Sequence, residues 1–224
     1  MNSVQDPDSA ALSIQFCNEA ERHWADQCEV DSLLNIAAAL FLSLGYLGQG
    51  RDHSVLYYIE AASNMAERMR LFELEVDPAT GKIRWLLAHV TSAYQYAAWG
   101  TFNWITHMSL FHRQPGLKCP KQPPRVPAPG TRRNDTTSLR HLCASEDDAE
   151  LAYMGGVFCH LCEFWTIMHE VALMYTKHSG SLLTEQRTLR FAEYKFRELL
   201  AWSNRLPTTF SQNERHPHYV QVLQ

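Results

Sequence analysis

The sequence predicts an all-α protein, an irregular multi-helix array. Three observations carry this. Apolar residues recur at helical spacing along most of the chain. No segment sustains a period-2 alternation, and no Asn-Gly hairpin signal occurs. The run from Trp85 to Phe111, WLLAHVTSAYQYAAWGTFNWITHMSLF, contains no Asp, Glu, Lys or Arg. A helix of that length without charge must be buried, because every face of it is apolar or weakly polar.

Each element has a local cause. Asp6 and Pro7 form an N-cap and first-turn pair, and a helix runs from there to about Cys28. Residues 30–47 are apolar nearly all round and end at Gly45 and Gly48. Residues 52–72 are amphipathic, with Val55, Tyr58, Ile59, Ala62, Met65, Ala66, Met69 and Phe72 on one face. Asp77-Pro78-Ala79-Thr80-Gly81 reads as a turn. The uncharged helix follows, from Lys82 to about Arg113, and meets QPGLKCPKQPPRVPAPG at 114–130, which holds six of the ten prolines. Proline cannot continue the helix, so this tract is an extended, polyproline-like strap. A polar loop leads to Ser145-Glu146-Asp147-Asp148, an acidic start that suits the positive end of a helix dipole. That helix runs to about His178. The last spans about 184–203 with Leu189, Ala192, Phe196 and Leu199 inward, and Leu206-Pro207 ends it. The parts are therefore 1–29, an N-terminal helix; 30–113, a helical core; 114–148, the strap and a basic polar loop; and 149–224, C-terminal helices of the same domain.

Composition narrows the function classes. Hydrophobic residues make up 46% of 224, and mean hydropathy is -0.30, so a core can form. A net charge of -4 and a pI near 6.2 argue against a dedicated nucleic-acid binder. The polar start MNSVQDPDSA has no signal-peptide core. The apolar run Leu33–Leu47 is shorter than the ~20 residues a bilayer needs, and His89, Gln95, Asn103 and His107 make the longer run too polar to span one. No membrane partner is expected. Six scattered cysteines without a secretory signal are expected to be reduced thiols, in the nucleus or the cytoplasm.

Candidate chemistry is sparse. Cys159 and Cys162 with His169 could offer three metal ligands on one helix face, but buried thiols and a core histidine explain them better. His169-Glu170 fails the zinc-protease pattern at Leu173, and His216 and His218 are an ordinary polar pair. No nucleophile elbow, phosphate-binding glycine loop or dinucleotide fingerprint occurs; no metal, cofactor or catalytic residue is expected, and no enzyme. Gly155-Gly156 suggests close helix packing. Tyr94, Tyr96, Trp99, Phe102 and Trp104 spread around their helix and read as core, with a ligand pocket as the alternative. Lys118, Lys121, Arg125, Arg132 and Arg133 form a basic loop, a solvated surface or else a phosphate or nuclear-targeting patch.

Three segments in order resemble one family. They are LLNIAAALFLSLGYLGQGRDHSVLYYIEAASNMAERMRLF at 33–72, AAWGTFNWITHMSLFHRQPGLKCPKQPPRVPAPG at 97–130 and FAEYKFRELLAWSNRLPTTFSQNERHPHYV at 191–220. Together they resemble the fungal-specific transcription factor domain, the regulatory middle region of fungal zinc binuclear cluster regulators, nearest the nitrate-assimilation-regulator type. The family's Cys cluster, basic arm and coiled coil have no counterpart here, and its domain continues beyond the equivalent of Val220. The resemblance therefore implies the first half of a regulatory domain, with no DNA-binding residue to carry over. It implies a nuclear regulator of nutrient-use or specialised-metabolite genes, touching DNA only indirectly. Its partners would be a full-length relative or the transcription machinery, with a small-molecule effector as a further candidate. The alternatives are a helical enzyme or ligand-binding protein with a buried aromatic pocket, and a truncated gene product without independent function.

Overall fold

A computed structural model describes residues 7–75, 77, 88–111, 117–129, 146–177 and 185–207. Among them are six α-helices, one 3-10 turn and no strand, so the protein is all-α. The helices are α1 (Pro7–Gln27), α2 (Leu33–Gly48), α3 (Asp52–Arg68), α4 (Ala88–Phe111), α5 (Glu146–Lys177) and α6 (Glu185–Arg205), with the 3-10 turn at Leu71–Glu73. The chain divides into two compact units, Met1–Val126 and Pro127–Gln224, so the division falls inside the proline tract.

In the first unit, α1 begins at Pro7 and carries Asp8 in its first turn, where a carboxylate suits the helix dipole. Asn35 shapes the turn into α2. Its Nδ2 donates to the Gln27 carbonyl at 2.9 Å and the Val30 carbonyl at 2.7 Å, satisfying acceptors at the end of α1. Ser32 caps α2, its Oγ accepting from Asn35 N at 3.1 Å in an extended backbone conformation. Asp31 in the same turn takes a bidentate Arg68, with Nε 2.9 Å from Oδ2 and Nη2 2.6 Å from Oδ1. That hydrogen bonding holds the Asp31 carboxyl below its ordinary range. It ties the end of α3 to the α1–α2 turn.

Of the two expected stops, Gly48 is the end of α2, and Gly45 is corrected, since the helix runs through it. A Cβ at position 45 would stand 3.0 Å from Cys17 Sγ, so glycine serves the approach of α1 rather than a helix end. The stop comes at Gly50, whose φ of 69° lets Arg51 N reach the Tyr46 carbonyl at 3.0 Å. The helix α3 buries Val55, Tyr58, Ile59, Ala62, Met65 and Ala66 of the expected face, whereas Met69 and Phe72 lie past its end and are half-buried. It ends where Arg70 turns left-handed at φ 52°, and the remaining residues to Glu73 tighten into the 3-10 turn.

The helix α4 is buried on most of its surface from Ala98 to Ser109, as its uncharged sequence requires. Lys82–Leu87, the expected first turns, lie outside the described residues. The strap, described over 117–129, forms neither helix nor strand. Trp99 Nε1 donates to the Val126 carbonyl at 2.9 Å, and Arg125 N donates to the Phe72 carbonyl at 3.1 Å.

In the second unit α5 packs on α6. Val157 and Trp202 are the buried centre, with Leu161, Phe164, Ile167 and Leu206 around them. The Trp202 Nε1 donates to the His160 carbonyl at 3.2 Å, and its ring lies 5.3 Å from that of Phe164. Two expectations are corrected here. A Cβ on Gly156 would meet nothing within 4 Å, so that residue marks no close helix approach. Three of the four residues expected inward on α6 are turned out: Leu189 and Phe196 are each 61% exposed and Ala192 is exposed, while Leu199 is half-buried. Lys195 and Trp202, two turns apart, take the inner face. Burying the indole gains more than burying any stripe residue, and Lys195 Nζ is satisfied by Glu170 at 2.5 Å and Glu198 at 2.6 Å.

Candidate functional site

The crossing of α1 and α2 creates a cleft of about 400 Å³. It exists because the helices touch closely at only some turns. At one end Cys17 meets Gly45, and Gln49 Nε2 donates to Cys17 Sγ at 3.2 Å. At the other end the Asn35 side chain holds the connecting turn. Between them stand small residues, Ala20 on α1 and Ala38 on α2, which leave the space. The aromatic rings of Phe16, Trp24 and Phe41 wall it, with Leu42 at the base. Among the described residues no Asp, Glu, Lys or Arg lines it. His23, on the rim, faces Glu19 on its own helix, with Nε2 3.2 Å from the carboxylate.

Behind the cleft lies a packed aromatic group. Trp24 meets Tyr58 edge to face at 5.8 Å, and Tyr46 stacks on Tyr58 at 5.7 Å. Tyr58 OH donates to Glu21 Oε1 at 2.9 Å. Burial, together with the Glu21 carboxylate, pushes the Tyr46 phenol up to about 12 and raises Tyr58 as well. Both stay neutral at physiological pH. Trp24 is 5% exposed, and its Nε1 has no hydrogen-bond acceptor. A buried indole N–H normally finds one.

The aromatics singled out in the sequence lie elsewhere. Phe102 is fully buried and Trp99 nearly so, their rings meeting edge to face at 5.6 Å in the core. Trp104 Nε1 donates to Ser43 Oγ at 2.7 Å, which joins α4 to α2, and its ring stacks on His107 at 5.3 Å. Tyr94 is half-buried and Tyr96 is exposed. None of the five lines the α1–α2 cleft. In the basic loop, Lys118 and Lys121 are exposed, whereas Arg125 pairs with Glu75 at 2.9 Å and serves to seat the strap. Arg132 and Arg133 lie outside the described residues, as do His216 and His218.

Two of the thiols, Cys119 and Cys159, are held in their neutral form. Burial pushes Cys119 up to about 11, although the Ser109 and Thr106 hydroxyls beside it favour the thiolate. Burial raises Cys159 too, helped by Glu163. Among the described residues no three His, Cys, Asp or Glu side chains gather as a metal site would need.

The cleft was not anticipated from the sequence. Phe16, Ala20 and Trp24 do recur at four-residue spacing on one face of α1, and Ala38, Phe41 and Leu42 share a face of α2. Which two faces meet is a matter of crossing geometry. No family model, no curated protein and no solved structure matches this chain.

Proposed function

We propose that this chain is a non-catalytic regulatory module that works through protein contact, a nuclear transcription regulator or part of one, as the resemblance of its three segments implies. The supporting observation is the outward face of α6. Leu189, Phe196 and Leu200 fall on one line of that helix, and all three are exposed. Apolar side chains occupy roughly half the helix circumference at about 100° per residue, and α5 covers the part around Lys195 and Trp202. Full burial of a large apolar side chain is worth about 1.5–3 kcal/mol, so an ordered row of exposed ones marks a surface for a partner. The neutral state of the buried thiols Cys119 and Cys159 favours binding over nucleophilic chemistry.

The test is a tethering experiment. The chain is fused to a heterologous DNA-binding domain above a reporter gene in a fungal host. Reporter output is expected to change severalfold and to return to baseline with Leu189→Glu and Phe196→Glu combined, while circular dichroism of the purified variant keeps its helix content. An unaltered reporter under the wild-type fusion overturns the proposal.

A further inference from the structure

The outward face of α1 and α2 fits a second copy of this chain: we propose that the protein forms a two-fold dimer in which Phe41 of each copy enters the α1–α2 cleft of the other. This goes beyond the protein-contact proposal and uses a different surface from the α6 row. The face begins with composition. All 16 residues of α2, LLNIAAALFLSLGYLG, are uncharged. One side of such a helix packs on the core, and the other has to be covered or left wet. Ile36, Ala39, Leu42, Ser43 and Tyr46 take the core side. Leu34, Ala38, Phe41 and Leu44 fall on the opposite side and are exposed. Leu12, Phe16 and Ala20, one turn apart on α1, extend the same face and are exposed too.

Area, charge and shape together choose the occupant. The five large side chains, Leu12, Phe16, Leu34, Phe41 and Leu44, are between 50% and 82% exposed. At ~200 Å² for a whole large apolar side chain, they and the two alanines offer roughly 700 Å², close to the ~800 Å² per partner of a standard interface. Across a two-fold axis a residue near the axis meets its own mate, so a charge there meets a like charge. The α2 side has none to repel, and Glu19 and Arg22 on the α1 rim neutralise each other in an ion pair. Homodimer interfaces are also the more apolar kind. The face carries both a projection and a recess. Phe41 stands out from the wall of the cleft, and Ala20 and Ala38 leave the space of about 400 Å³ beside it. A two-fold axis sets each projection over the other copy's recess. Gln27 and Asn35, polar members of the lining, stand at the α1–α2 turn, at the far end from Phe16. A small molecule in the cleft would leave the Phe16 and Phe41 rings largely in water, whereas a second copy covers them.

Analytical ultracentrifugation of the full chain tests this. The wild type is expected to be a dimer at about 100 μM and to dissociate on dilution. Phe41→Ala empties both recesses and should weaken the dimer by roughly 100-fold or more, the value of two rings returned to water. Ala20→Trp fills both recesses and should give a monomer. Both substitutions fall at exposed positions, so helix content by circular dichroism should match the wild type. A mixture of the two variants tests the reciprocal fit. In a pair of one Phe41→Ala copy with one Ala20→Trp copy, the intact Phe41 meets the open cleft and the filled cleft meets the missing ring. The two are expected to form a heterodimer at concentrations at which neither variant pairs with itself. A wild type that stays monomeric at about 100 μM overturns the proposal, and so does a monomer that gathers on phosphatidylcholine vesicles instead. It is equally overturned if Phe41→Ala dimerises as the wild type does, or if the mixture forms no heterodimer.

Discussion

Helices α3 and α6 make the same promise in sequence and keep it differently. Both are amphipathic, with a row of apolar residues at helical spacing. In α3 the row from Val55 to Ala66 is the buried face. In α6 the row of Leu189 and Phe196 faces outward, and a lysine and a tryptophan are buried instead. The difference lies in what surrounds each helix. α3 packs against α2, α4 and the 3-10 turn, so its row from Val55 to Ala66 is covered, and Tyr57, outside the row, stays exposed. α6 has an apolar arc too wide for α5 alone, and the side that packs is the one where Trp202 can be enclosed. An apolar stripe fixes a helix face only when enough neighbours exist to cover it.

Substitutions can break or sharpen this contrast. The largest effect is expected from Trp202→Ala. Removing a buried aromatic anchor costs about 3–5 kcal/mol, and amide hydrogen exchange in α5 and α6 should report the loss. Protection in α6 that survives the change would mean that Leu189 and Phe196 hold the helix after all. Next comes Ile59→Ala, at a fully buried position of α3. It should cost about 2–5 kcal/mol in urea unfolding. A loss under half of that would show the α3 face to be loosely packed and erase its difference from α6.

A smaller effect attends Lys195. Burial alone would lower its pKa, but the Glu170 and Glu198 carboxylates outweigh burial and hold it above the ordinary lysine range. With the folded value raised, the stabilisation is complete below about pH 10.4, the ordinary lysine value, and is lost as pH rises through the folded value. Glu170 is 58% exposed, so solvent screens part of the pair. Lys195→Met should therefore cost only about 1–2 kcal/mol at neutral pH, and it should flatten the alkaline limb of stability. An identical alkaline limb in wild type and variant would remove Lys195 from the account of the α5–α6 packing. The smallest effect belongs to Leu189→Ser with Phe196→Ser, expected within about 0.5 kcal/mol in stability. Sedimentation should show any self-association of the wild type beyond a dimer reduced in this variant. A destabilisation as large as that of Ile59→Ala would put the stripe back inside.

Legibility follows the range of the forces involved. The beginning of α1 at Pro7, the break after Gly48 and the buried face of α3 are set by neighbours within a few residues, and each reads directly from local pattern. The burial of α4 also reads directly, because an uncharged helix has one stable environment. Gly45 misled because glycine ends helices and also lets them approach, and only the position of Cys17 separates the two roles. The cleft was illegible for the same reason. Ala20 and Ala38 are unremarkable alone and leave a space only where two helices cross between them.

By itself the sequence determined the helical class, the extents of most helices and the proline strap, because hydrogen bonding, proline geometry and apolar spacing act locally. Only the tertiary structure decided which side of α6 is covered, what Gly45 is for and where Trp24 leaves its donor. Those depend on which surfaces remain once the largest side chains have been buried, and that outcome is set by all the packed elements together.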